Sequence, residues 1–137
     1  MPPDLIHLQI AAHPAGLKQI RDMAAKVSAA AGLPENEAGS VILAINEACA
    51  NIIKHCCRDH PDRCIDITMA LDGACLSVTL VDNGTPFDIG SIKPRDIHDI
   101  KPGGLGVHII RQVMDLVEYS HTPEGLNQVR LVKKLKN

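Results

Sequence analysis

Aromatic side chains are almost missing from this chain of 137 residues, which has no Trp, one Tyr (Tyr119) and one Phe (Phe87). Stacking of bases on aromatic platforms is the usual basis of single-strand binding, so their scarcity argues against a nucleic-acid partner. A large excess of either charge is missing too. The formal net charge is -2, and no broad basic field exists to attract a phosphate backbone. The terminal "VKKLK" reads as the solvated end of a last strand. Long apolar runs are missing: none approaches the roughly 20 residues of a membrane span. The opening "MPPDLIHLQI" lacks the basic start and apolar stretch of a signal peptide. The expectation is a cytoplasmic protein that engages neither membrane nor nucleic acid. The five cysteines (Cys49, Cys56, Cys57, Cys64 and Cys75) are odd in number, which fits reduced thiols. The spacing of Cys56, Cys57, His60 and Cys64 fits no common zinc pattern.

What the chain does have is aliphatic: its hydrophobic fraction is 45%, enough for the core of one domain. Residues 4–11, "DLIHLQIA", alternate and predict a strand. Pro14 opens a helical pattern that runs to about Ala31, and Gly32 stops it. Pro34 is placed for a first helical residue, and a second helix follows to about Cys57. "CIDITMAL" (64–71) and "ACLSVTLVD" (74–82) predict a hairpin around the Asp72-Gly73 turn. A long segment rich in Gly, Pro and Asp comes next, then a helix from about Leu105 to Leu116 and two closing strands in "VEYSH" and "QVRLVKKL". The order β-α-α-β-β-loop-α-β-β predicts a single α+β domain. It is a two-layer sandwich, with helices on one face of a mixed, mostly antiparallel sheet.

The second helix carries the first functional signal. Val41, Ile45, Cys49 and Ile52 fall together on a core face. Glu47 lies opposite, with Asn51 about 40° away and Leu43, Ala44 and Ala50 within about 60°. A solvated face normally carries more charge, so Glu47 and Asn51 are expected to line a cleft. A carboxylate there can take a proton from a hydroxyl, and an amide oxygen one turn on can ligate Mg²⁺. The plain alternative is a half-exposed pair satisfied by water.

Two glycine sites follow. In "VTLVDNGTPFD", Asp82 ends a strand with Gly84 close behind. Such a sequence is often only a turn, but a carboxylate so placed can also accept a hydrogen bond from an exocyclic amine such as adenine N6. In "KPGGLGVHII", Gly103, Gly104 and Gly106 precede a helix, and free N–H groups at a helix start suit phosphate. This is neither a P-loop, which needs a Lys-Ser/Thr pair after the last Gly, nor a dinucleotide fingerprint.

In this order, "NEACAN", "DNG" and "GGLG" resemble the N, G1 and G2 boxes of the GHKL (Bergerat-fold) ATPase/kinase superfamily. The nearest likeness is to small bacterial anti-sigma-factor serine/threonine kinases. Their Glu-x-x-x-Asn with a following His is similar to Glu47, Asn51 and His55. Their Asp-x-Gly-x-x-Phe-Asp is similar to Asp82, Gly84, Phe87 and Asp88. The resemblance implies that ATP and Mg²⁺ are used, with Glu47 as general base and Asn51 as Mg²⁺ ligand. It implies that Asp82 and Gly84 meet the adenine, and that Gly103, Gly104, Leu105, Gly106 and Val107 hold phosphates. Residues 85–102 would form an ATP lid, and Lys101 would add charge near the γ-phosphate. His55 is read as structural and His108 as remote from the chemistry. The implied partners are a STAS-domain anti-anti-sigma protein, a sigma factor, and a second copy of the chain in a homodimer. Two positions depart from the pattern. Pro86 stands where relatives often have a second glycine. "GLNQVRL" replaces a Gly-Thr pair, so Asn127 or Gln128 must serve near the adenine. The implied activity is transfer of phosphate from ATP to a Ser or Thr. The alternative is a module that only binds ATP or sequesters a partner.

Overall fold

Strand-forming alternation lies where the sequence predicts it, and the first helix is stopped by the expected glycine. The computed structural model of the chain describes residues 4–56, 64–86 and 104–135. Strand β1 (Asp4–Ala11) is followed by a short 3₁₀ turn (Pro14–Gly16) and helix α1 (Leu17–Ala30). The His13 ring accepts the Ala15 N–H at 3.1 Å, satisfying one donor at the start of that turn. Helix α1 ends at Gly32, whose φ of 76° suits a residue without Cβ. The Gly32 N–H bonds to Ala29 O and the Leu33 N–H to Ser28 O, which occupies carbonyls the helix leaves open.

Helix α2 (Glu35–Asn51) begins just after Pro34, which caps it rather than opening it, and continues as a π turn over Ile52–Cys56. Glu35 and Glu37 lie in its first turn, where negative charge complements the helix dipole. Strands β2 (Cys64–Leu71) and β3 (Cys75–Asp82) form the expected hairpin. Its turn is held by the Asp72 carboxylate, which accepts the N–H groups of Ala74 at 2.8 Å and Cys75 at 2.7 Å. Helix α3 (Gly104–Val113) and strands β4 (Leu116–His121) and β5 (Asn127–Lys134) complete the chain.

The sheet order is β1-β2-β3-β5-β4. The mostly antiparallel sheet expected is antiparallel at every described pairing. One face carries Ile65, Ile67, Met69, Leu76, Val78, Leu80, Val129 and Leu131, all buried. It joins a single core with Ile20, Ala24 and Val27 of α1, the expected face of α2 (Val41, Ile45, Cys49, Ile52), and Ile110 of α3. The opposite face carries Asp66, Thr68, Ser77, Thr79 and Arg130, partly or fully exposed. Helix α2 packs against α1 on one side and α3 on the other. The Arg21 guanidinium donates to Asn46 Oδ1 at 3.1 Å across the first of these contacts. Asp82 falls on the helix-covered face, in phase with the buried residues of β3.

Candidate functional site

Every second residue of β3 is buried under the helices, and Asp82 is the last of them. It is 1% exposed. Burial pushes its carboxyl above the usual range, against the opposing pull of hydrogen bonds from Asn127 and Gly84. Asp82 Oδ1 accepts the Gly84 N–H at 2.9 Å and Asn127 Nδ2 at 3.0 Å. Asp82 Oδ2 is buried and has no hydrogen-bond partner among the described residues. Leaving a buried acceptor unpaired costs about 1–3 kcal/mol, so this oxygen is suited to a ligand donor.

Asn127 is the first residue of β5 and the register partner of Asp82. It is 1% exposed, and its amide also donates to the Thr85 carbonyl at 2.9 Å. Of the two candidates the sequence left open, Asn127 is therefore the one beside Asp82. Gln128 lies next along β5, pairs with Val81 and belongs to the other face of the sheet. The part played by the Thr85 carbonyl was not legible in the sequence, because a backbone acceptor leaves no mark on residue identity. Asn83 Oδ1 accepts the Cys64 N–H at 3.0 Å, fastening the start of β2 to the end of β3.

Glu47 and Asn51 are half-buried, on one stripe of α2. The surroundings of Glu47 are divided. Ala44 and Ala48 on one flank are buried, while Leu43 on the other is 46% exposed. The sequence placed Leu43 in the covered part of this face, and the structure leaves it in the open. Glu47 thus stands at a border between covered and open helix surface, where a side chain can reach both protein and solvent. Among the described residues, neither the Glu47 nor the Asn51 side chain makes a hydrogen bond or ion pair. His55 lies exposed in the π turn.

Gly104, Leu105, Gly106 and Val107 form the first turn of α3, so their N–H groups lie at the helix start. Their side chains, like that of His108, are outside the described residues. So are Lys101, Gly103, Phe87, Asp88 and the lid segment beyond Pro86, together with residues 57–63, which include Cys57 and His60. Because α3 packs on α2, the helix begun by the glycine residues is a neighbour of the helix that carries Glu47 and Asn51. The structure brings Asp82, Gly84, Thr85 and Asn127 together, and places Glu47 and Asn51 on α2 and residues 104–107 at the start of the adjacent α3. Cys49 is not a reactive candidate: it is fully buried and burial pushes its thiol far up. Among the described residues there is no cluster of His, Cys, Asp or Glu able to hold a metal ion. No described helix is long and apolar enough to cross a membrane.

A family model described as the histidine kinase-like ATPase domain matches residues 10–133. The chain belongs to this family. Among its relatives is a serine-protein kinase RsbW of Bacillus cereus (strain B4264), 30% identical, with 88% of this chain and 79% of the relative covered. A serine-protein kinase RsbW of Bacillus thuringiensis (strain Al Hakam) shows the same identity and coverage. The solved structure of the RsbU and RsbW domains of Rv1364c from Mycobacterium tuberculosis shares the fold, with a TM-score of 0.71 at 15% identity. That match covers 98% of this chain and 33% of the larger one. In this ATPase-family frame, the β3 end, the α3 start and the polar stripe of α2 are the features the sequence singled out.

Proposed function

We propose that this chain is an ATP-dependent protein serine/threonine kinase. It acts as an anti-sigma-type partner switch on a STAS-domain anti-anti-sigma protein. The observation that carries the reading is Asp82 Oδ2, a buried, unpartnered acceptor at the end of a central strand. Adenine N6 is the donor it fits, and Gly84 leaves the turn beside it free of a side chain. The kinship with serine-protein kinases RsbW supports the same reaction class.

In this reading the N–H groups at the start of α3 hold phosphate oxygens, aided by the helix dipole. Asn51 supplies an amide oxygen suited to Mg²⁺, which when bound neutralises phosphate charge. Glu47, at the edge of the covered surface, accepts the proton of the Ser or Thr hydroxyl. The chain's own contribution is chiefly position and electrostatics, as is general for phosphoryl transfer. A sigma factor is the second partner, and the working form is a homodimer.

The test combines the purified chain, Mg-ATP and candidate STAS-domain proteins. Phosphate on a Ser or Thr of the partner, lost in Glu47→Ala while ATP binding is retained, supports the kinase. Tight partner binding with no transfer would leave a sequestering module instead.

A further inference from the structure

We propose that Asn127 is a positioning residue for base recognition. Its amide fixes which oxygen of Asp82 faces the nucleotide, and thereby sets a preference for a base with an exocyclic amine. This rests on the reading of Asp82 as the base acceptor. A carboxylate has two equivalent oxygens, and rotation about its last torsion exchanges them. Here they are made unequal. Oδ1 receives Gly84 N–H at 2.9 Å and Asn127 Nδ2 at 3.0 Å, while Oδ2 receives no hydrogen bond from the described residues.

The amide is suited to this task in two ways. Its nitrogen carries two hydrogens, and they have two acceptors, Asp82 Oδ1 and the Thr85 carbonyl at 2.9 Å. One group therefore orients the carboxylate and also closes the Asp82–Thr85 turn from the opposite strand. An amide also does not titrate, so it offers the same donors at every working pH. The strand register makes the arrangement stiff, since Asp82 and Asn127 are direct partners in the antiparallel β3–β5 pair. Burial adds to this, because Asn127 is 1% exposed and bulk solvent has little access to its hydrogens.

The experiment titrates the full chain with Mg-ATP and with Mg-ITP, whose base has a keto oxygen where adenine has the amine. The wild-type chain should prefer ATP. In Asn127→Ala and Asn127→Leu, the latter keeping the branched outline of the side chain without its donors, that preference should fall by about tenfold, the scale of one hydrogen bond to a charged group. Thermal unfolding of each variant identifies the folded ones. A folded variant that keeps the full preference overturns the role of Asn127 and leaves the reading of Asp82 intact. A wild-type chain that binds neither nucleotide, or both equally, defeats the reading of Asp82 itself. A second measurement needs no variant. In the unaltered chain with ATP bound, the two side-chain amide hydrogens of Asn127 should exchange slowly with solvent. Rapid exchange of both overturns the proposal.

Discussion

At the residue scale the decisive group is Asp82, a carboxylate held under the helices with one oxygen paired and one not. Its carboxyl is raised chiefly by burial, so the folded state holds the proton more tightly than the unfolded chain. The stability this contributes is fully present below the ordinary Asp range and is lost as pH rises through the raised value. Asp82→Asn should remove that pH dependence. In thermal unfolding without nucleotide, its midpoint should equal or exceed the wild-type value at neutral pH, with the difference shrinking as pH falls. In the proposed reading adenine N6 donates to Oδ2, so ATP binding should be lost in the same variant, as titration calorimetry would show. A midpoint lowered equally at all pH values would make Asp82 a purely structural group. Asn51→Ala should leave ATP binding without Mg²⁺ unchanged and remove the gain that Mg²⁺ gives, measured by titrating ATP with and without the ion.

At the scale of elements, two glycines separate backbone need from backbone tolerance. Gly125 lies in the β4–β5 turn with φ of 87° and nothing near its would-be Cβ. Gly125→Ala should therefore cost about 1 kcal/mol from conformation alone. Gly39 lies within α2, also with open space around the added carbon. Gly39→Ala should stabilise by about 0.5–1 kcal/mol. Denaturant unfolding of the two variants should give shifts of opposite sign. These elements were largely legible from sequence, because alternation and helical spacing are local. Strands 4–11 and 64–71 have the bounds expected, and 75–82 differs by one residue. Helix ends were less legible. Helix α2 was expected to run to about Cys57, and the helical run does continue to Cys56, but its last turn, Ile52–Cys56, widens to π geometry. Helix α3 was expected to reach Leu116, yet it stops at Val113. There Asp115 joins the sheet: its N–H bonds to Val132 O and its carboxylate accepts the Lys134 N–H. Competition from a distant strand decided that end, and a local pattern carries no trace of it.

At the scale of the whole molecule, the candidate site draws on both layers: Asp82 and Asn127 from the sheet, Glu47 and Asn51 from α2, and the glycine-rich start of α3. A nucleotide that touches all of them should stabilise the fold as a unit. Mg-ATP at about 100 times its Kd should add about 2.7 kcal/mol to the unfolding free energy by mass action. Mg-ITP at the same concentration should add less. An equal effect of the two would show that the base is not read. The sequence by itself determined the elements, the α2 core face and the motif order, since each is written in short-range spacing. Only the tertiary structure decided that β5 inserts between β3 and β4, and that its register sets Asn127, not Gln128, against Asp82. The physical reason is that neighbouring strand residues face opposite sides of a sheet. Which of two adjacent amides reaches a buried carboxylate therefore depends on a pairing between residues 45 positions apart.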